Sequence, residues 1–326
     1  MFIGLGVEIG IIIIASALLY YIGNYFAASS SKLGDYMHLP RDVKGATMDA
    51  IASSLPEVLV ALYSVIFFAE FGMGIGTLAG STLFNLLVIP GICVFVSPVV
   101  FRVSKKIITR DAFFYVISLV TLIILLYYFK VWGLLISLVL LGIYAIYIIQ
   151  IASHTREHRK TNKQSKESKQ ISLGKELTIF FVALVLIGVT TFFLTKSAIN
   201  LSSILGIPSI IVALTIVSAA TSIPDTIISV ANAKKGDVDD ATSNVFGSNI
   251  FDILIGLGLP LLIYSIFIGP LTIVFGHLEI IIGLLLATLL AIYFFITDDK
   301  LSKIEGLILL SLYVIFIIYT IILSLV

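Results

Sequence analysis

The chain is short of everything a water-facing surface needs. Only 12% of its 326 residues are charged while 59% are hydrophobic, and mean hydropathy is +1.15, which leaves too little polar surface to cover a soluble globule of this length. Cys93 is the single cysteine, so no intrachain disulfide can form and cysteine usage says nothing of the compartment. The four histidines, His38, His154, His158 and His277, are too scattered for a zinc site. A net charge of +1 argues against a nucleic-acid role. No HExxH, no GxSxG and no serine with an evident histidine partner occurs, so no enzyme signature is present and no cofactor is expected. The opening Met-Phe-Ile-Gly has neither a basic region nor a small-residue cleavage site. It is read as the start of the first span and not as a removed signal peptide.

What remains is a polytopic, all-α membrane protein. A spanning helix needs about 20 apolar residues, and ten segments qualify, near 3–27, 43–69, 73–98, 110–129, 131–152, 177–199, 208–233, 240–266, 274–297 and 303–325. The one long polar stretch, 153–176, reads as a mobile linker joining five spans to five. It leaves no room for a soluble domain. The chain therefore divides into 1–152, the linker 153–176 and 177–326. Of the 20 lysines and arginines, 18 fall in the loops after odd-numbered spans, and only Lys130 and Lys196 fall on the other side. By the positive-inside rule the linker is cytoplasmic and both termini lie outside the cell membrane.

Inside the apolar background a polar signature occurs twice. SSLPE at 53–57 is followed by GSTLFN at 80–85, and TSIPD at 221–225 by GSNIFD at 247–252. Ser54 and Ser222, like Glu57 and Asp225, are 168 residues apart; Ser81 and Ser248, like Asn85 and Asp252, are 167 apart. Five spans separate equivalent positions, and an odd number makes the two halves inverted repeats. In such architectures the substrate site lies near the midplane, where broken helices expose backbone groups. Pro56 and Pro224 are the expected break points, each removing an amide donor. Gly80 and Gly247 allow close helix approach.

Helical spacing brings side chains together. Ser53 and Glu57, Thr221 and Asp225, Ser81 and Asn85, and Ser248 and Asp252 are each four apart, so each pair shares a helix face. Three carboxylates, an amide and several hydroxyls, without imidazole or thiol, suit hard cations such as calcium, sodium or potassium. A complete site within one chain points to a functional monomer in the lipid bilayer.

The segments GATMDAIASSLPE and AATSIPD, with GSTLFN and GSNIFD, resemble the alpha-repeats of the calcium/cation antiporter superfamily, in its sodium/calcium exchanger branch. The second repeat, SIPDTIISVANAKKGDVDDATSNVFGSNIFDILIGLGLP, is similar in style to the potassium-dependent exchangers. The likeness is specific over roughly 45–91 and 213–260. It implies a secondary active antiporter exchanging calcium for sodium by alternating access, with potassium as a further transported ion. It also implies that Glu57 and Asp225 coordinate calcium and serve the sodium sites. Ser53, Ser54, Thr221, Ser222, Ser81 and Ser248 are the matching hydroxyl ligands, Asn85 and Asp252 the remaining side-chain ligands, and the carbonyls of Ala50 and Ser218 the backbone ligands. The first and sixth spans resemble the pair that slides across the core.

Three positions depart from that pattern. Ala52 and Ala220 stand where many relatives have glycine, Asp225 is a methylene shorter than the glutamate of many exchangers, and Asp49 stands where relatives usually have an apolar residue. Asp49 is eight residues before Glu57, about 12 Å along a helix. It reads as a residue of the cytoplasmic mouth, in water, with an access or proton site as the alternative. A proton-coupled or other-cation antiporter on the same fold, and less closely an ion channel, are the other functional readings.

Overall fold

The computed structural model describes residues 2–39, 41–161, 172–273, 278–297 and 300–325. Among the described residues, eight helices are long and apolar enough to cross a membrane, and two bent pairs raise the number to ten if each pair is one span. In chain order the elements are α1 (Phe2–Tyr36), the broken pair α2 (Gly45–Ser53) and α3 (Leu55–Ile66), α4 (Phe71–Val96), α5 (Lys105–Tyr128) and α6 (Leu134–Thr161). The second half repeats the plan with α7 (Leu173–Leu205), the broken pair α8 (Ser209–Thr221) and α9 (Ile223–Lys234), α10 (Val238–Phe267), α11 (Leu278–Ile296) and α12 (Lys303–Leu325).

Several boundaries differ from the sequence expectation. Helices α1 and α7 have 35 and 33 residues, about 50 Å at 1.5 Å per residue. That exceeds the hydrocarbon thickness, so both must tilt or project beyond it. Helix α6 continues to Thr161 and α7 begins at Leu173, so helix covers both ends of the expected 153–176 linker; its centre, 162–171, lies outside the described residues. The first residues of the expected span 274–297 also lie outside them. One short β-pair was not foreseen. Val131–Trp132 (β1) pairs antiparallel with Leu271–Thr272 (β2), joining the loop before α6 to the loop after α10.

The packing is reciprocal between halves. A Cβ added at Gly80 of α4 would lie 2.7 Å from Leu214 O of α8, and one added at Gly247 of α10 would lie 2.8 Å from Ala46 Cα of α2. Thus each repeat's long central helix presses a bare backbone against the other repeat's half-helix. The outer helices follow the same rule. Gly23 of α1 meets Pro224 of α9, and Gly188 of α7 faces Tyr63 of α3. Helix α6 packs on α10, and α12 packs on α4. Two helices, α1 and α7, lie together along their lengths and meet the core through a separate apolar cluster that contains Ala15, Ala52, Ala183, Ala198, Ala213 and Ala220.

The breaks arise from the local sequence. Helices α2 and α3 meet at 48° and α8 and α9 at 43°. The kinks fall at Ser54 (φ −85°, ψ 2°) and Ser222 (φ −76°, ψ 3°), two residues before the prolines. Pro56 and Pro224 occupy the first turn of the following helix, where an amide has no intrahelical partner to lose. They start the second half-helix more than they end the first. One turn earlier, Gly45–Asp49 and Ala213–Val217 are widened to π geometry, a bulge common at functional sites. The bulges are themselves 168 residues apart.

Candidate ion site

The kinked serines and the first turns of α3 and α9 meet α4 and α10 at the centre of the molecule. Glu57, Asp225, Asp252, Asn85, Ser53, Ser54, Ser81, Thr221, Ser222 and Ser248 all have no exposed surface. In a medium without water, unpaired charges of this kind cost several kcal/mol each or more. Every donor in reach therefore matters.

Two clusters form, one per acid. Around Asp225, Ser248 Oγ donates to Oδ1 at 2.6 Å and Asn85 Nδ2 donates to Oδ2 at 3.0 Å. Both oxygens are satisfied, one from each repeat. Around Glu57 the supply is poorer. Ser81 Oγ lies 3.2 Å from Glu57 Oε1 and 3.1 Å from Asp252 Oδ2, and it accepts from Ser222 Oγ at 2.9 Å. A serine hydroxyl carries one proton, so it can donate to only one of the two carboxylates. Glu57 Oε2, Asp252 Oδ1 and Asn85 Oδ1 have no hydrogen-bond partner. The asymmetry traces to one atom type. Where Asn85 brings an amide donor to Asp225, its counterpart Asp252 brings a second acceptor beside Glu57.

The other expected ligands fall into place unevenly. Ser53 Oγ is 3.2 Å from Ser248 Oγ and also donates to Asp49 O at 2.8 Å. Ser54 Oγ lies 3.5 Å from Ser248 O and is also a hydrogen-bonding neighbour of the Asp252 carboxylate. Thr221 Oγ1 reaches back to Val217 O and Ser218 O at 3.1 and 3.2 Å and is also a hydrogen-bonding neighbour of the Glu57 carboxylate. The carbonyls of Ala50 and Ser218 accept the amides of Ser54 and Ser222, each at 3.0 Å. They are not freed by the prolines, whose missing amides fall opposite Ala52 and Ala220. Each also lies 3.2 Å from a hydroxyl of its own helix, Ser53 Oγ at Ala50 O and Thr221 Oγ1 at Ser218 O, so an ion bound there competes with that hydroxyl. Asp49 departs most from expectation. It is 1% exposed and not a residue standing in open water.

Two polar residues went unread in the sequence. Asn244 Nδ2 donates to Ser229 Oγ at 2.9 Å and to Asp225 O at 3.5 Å, and its Oδ1 is 3.5 Å from Ser53 Oγ. It lies one turn before Ser248, so extending the four-residue spacing of Ser248 and Asp252 backwards would have found it. Asn249, buried, donates to Thr82 O at 3.0 Å and ties α10 to α4. Among the described residues, no three Asp, Glu, His or Cys side chains are grouped as a metal site on their own. Hydroxyl, amide and backbone oxygens must complete any cation's shell, the coordination that hard cations accept.

Two inverted five-span repeats, with buried acids and hydroxyls where their broken helices cross, define a secondary-transporter architecture. The sodium/calcium exchanger protein family model matches residues 7–151 and 175–322, and the chain belongs to this family. Sodium/potassium/calcium exchanger 2 of Mus musculus is 39% identical over 149 residues, covering 44% of this chain and 22% of that protein. Sodium/potassium/calcium exchanger 3 of Rattus norvegicus is 36% identical over 115 residues, covering 35% and 18%. The chain thus spans about a fifth of the length of these mammalian relatives. An uncharacterised membrane protein of Methanocaldococcus jannaschii is 27% identical over 324 residues, covering 94% of this chain and 96% of that one. Among solved structures, the sodium-calcium exchanger NCX_Mj soaked with 2.5 mM Na+ and 0.1 mM Ca2+ is similar with a TM-score of 0.68 at 25% identity, covering 95% of this chain and 97% of that chain.

Proposed function

We propose that the protein is a secondary active antiporter that exchanges calcium for sodium across the cell membrane. The observation that carries the reading is the fully buried set of Glu57, Asp225 and Asp252, supplied with too few hydrogen-bond donors. A calcium ion, or several sodium ions bringing comparable charge, offsets the cost of those buried anions. The cation-free site leaves them uncompensated, so closure is favourable only when the site is loaded. Exchange in place of leak follows from that difference.

In this reading Glu57 and Asp225 are the central calcium ligands and also serve sodium. Ser53, Ser54, Thr221, Ser222, Ser81 and Ser248 contribute hydroxyls, with Asn85, Asp252 and the Ala50 and Ser218 carbonyls completing the shell. The residues 1–152 and 177–326 act as the two repeats, and α1 with α7 as the unit that slides. The separate, alanine-rich apolar seam under that pair supports the assignment, since small side chains interlock less than large ones. The lysine and arginine distribution places the 153–176 linker in the cytoplasm and the termini outside, and one chain in the bilayer supplies the whole site. The protein's role is transport and not catalysis.

The test is calcium-45 flux in reconstituted vesicles with sodium, potassium and proton gradients imposed separately. Sodium-driven uptake is the expected result; uptake driven by a pH gradient without sodium would overturn it in favour of a proton-coupled antiporter. Potassium is assigned to the third acid. Asp252→Asn is expected to retain part of the calcium exchange and to lose any stimulation by potassium. A parent protein indifferent to potassium removes that assignment.

A further inference from the structure

The internal repeat supplies its own control for every position. Asp49 lies 168 residues before Val217, and Asp240 lies 167 after Met73. Val217 and Met73 are wholly buried apolar residues. One side of the molecule therefore carries two acids where the symmetry-related side carries hydrocarbon. Both acids are also buried, Asp49 at 1% and Asp240 at 2% exposure.

The two belong to one place. Gly45 is one helical turn before Asp49 and shares its face, and a Cβ added at Gly45 would lie 2.6 Å from Asp240 Oδ1. Lys44 Nζ stands 3.6 Å from Asp240 and 3.3 Å from Asp35 of α1. A single ammonium thus serves Asp240 and Asp35. Asp49 feels the same ammonium and that of Lys235, but neither of its carboxylate oxygens has a hydrogen-bond partner. It lines a cavity of about 380 Å³ between α1 and α9, which carries Asp35 and Lys32 among its lining residues. Asn232, also buried, adds an amide to the same wall, and its Nδ2 is unpartnered. Lys32 is engaged by Glu176 at 2.8 Å.

We propose that Asp49 anchors an additional alkali-cation site in this vestibule, on the linker side of the central acids. The charge balance selects a monovalent ion. Three carboxylates, Asp35, Asp49 and Asp240, face two ammonium groups, Lys44 and Lys235, and the single negative charge that remains suits a monovalent ion better than a divalent one. Oxygen from the Asp49 carboxylate, with the Asn232 amide turned to present its carbonyl, gives hard ligands. The site communicates directly with the centre. The backbone carbonyl of Asp49 accepts from Ser53 Oγ at 2.8 Å, and that hydroxyl is 3.2 Å from Ser248. An ion held at Asp49 stands one helical turn from the first hydroxyl of the exchange site.

The inference deepens the antiport reading and rests on it for the ion's onward path. Its test separates the two. Sodium-22 binding is measured on full-length protein carrying Glu57→Gln and Asp225→Asn, which disable the centre. Saturable sodium binding should persist there and be lost when Asp49→Asn is added. The pair Asp49→Val and Asp240→Met installs the apolar residues of the opposite half, so it should fold, with an unfolding temperature close to its parent, and also lose the binding. No sodium binding in the centre-disabled protein, binding that survives either change at Asp49, or calcium-45 binding in place of sodium overturns the site. Absence of sodium-driven calcium flux in the unsubstituted protein overturns the antiport reading alone.

Discussion

Glu57→Gln is expected to reduce sodium-driven calcium uptake to the level of protein-free vesicles while leaving the protein folded. The carboxylate sits where three acceptor oxygens, Glu57 Oε2, Asp252 Oδ1 and Asn85 Oδ1, have no donor. Replacing it by an amide removes one negative charge and brings an N–H group that can donate to Asp252. Both changes act in the same direction. The cation loses its strongest oxygen ligand, and the protein gains an internal hydrogen bond that competes with the ion. Folding should not suffer, because removing an uncompensated buried charge lowers a desolvation cost of several kcal/mol or more. The measurement is paired: calcium-45 uptake under a sodium gradient, and unfolding temperature in detergent. An unfolding temperature equal to or above the parent's with transport lost is the expected combination. Near-normal transport would remove Glu57 from the site.

Asp225 makes an instructive contrast. Its oxygens already receive Ser248 and Asn85, so Asp225→Asn turns one of these two acceptors into a donor and breaks one of the two hydrogen bonds as they stand. An unsatisfied buried donor costs about 1–3 kcal/mol. Transport should fall as it does for Glu57→Gln, and here the unfolding temperature should fall too. The two carboxylates are equivalent by repeat but not by surroundings, and the difference is Asn85 against Asp252.

Much of this was legible in the sequence, because membrane proteins write their constraints in composition. The ten spans, the inverted relation and the convergence of Glu57, Asp225, Ser81 and Ser248 follow from apolar length, loop charge and a spacing of four. The location of the breaks did not follow. A proline announces a disturbance but not whether it ends one helix or begins the next, and Pro56 and Pro224 do the latter. The ends of α6 and α7 were missed because polar residues such as Glu176 and Lys175 continue a helix beyond the bilayer as readily as they form a linker. Asp49 was placed by axial distance alone, and distance along a helix does not report what another helix lays over it. The packing of α10, with Asp240 and Gly45 in contact, buries it. Even that had a trace in the sequence, since Val217 and Met73 occupy the matching positions.

The two crossing points of the repeats should be the least tolerant positions for added bulk. Gly80→Val and Gly247→Val are each expected to abolish recovery of folded protein, and the alanine variants to lower the unfolding temperature and impair exchange. At Gly80 a Cβ meets Leu214 O at 2.7 Å and Ser218 Oγ at 2.6 Å; at Gly247 it meets Ala46 Cα at 2.8 Å and Ala46 O at 2.9 Å. Backbone atoms of a neighbouring helix cannot rotate aside as a side chain can. One methyl must therefore push α4 from α8, or α10 from α2, and overpacking of a dense interior costs about 1–3 kcal/mol. The displacement reaches the site immediately, because Ser81 and Ser248 directly follow these glycines and hold Glu57 and Asp225. Gly142→Ala and Gly283→Ala provide the control. A Cβ at either has nothing within 4 Å, and alanine is the better helix former by about 1 kcal/mol, so both should be neutral or slightly stabilising with transport intact. Equal behaviour of the two pairs would mean that the close crossing of the repeats does not hold the site, and that the serines are positioned by something other than glycine.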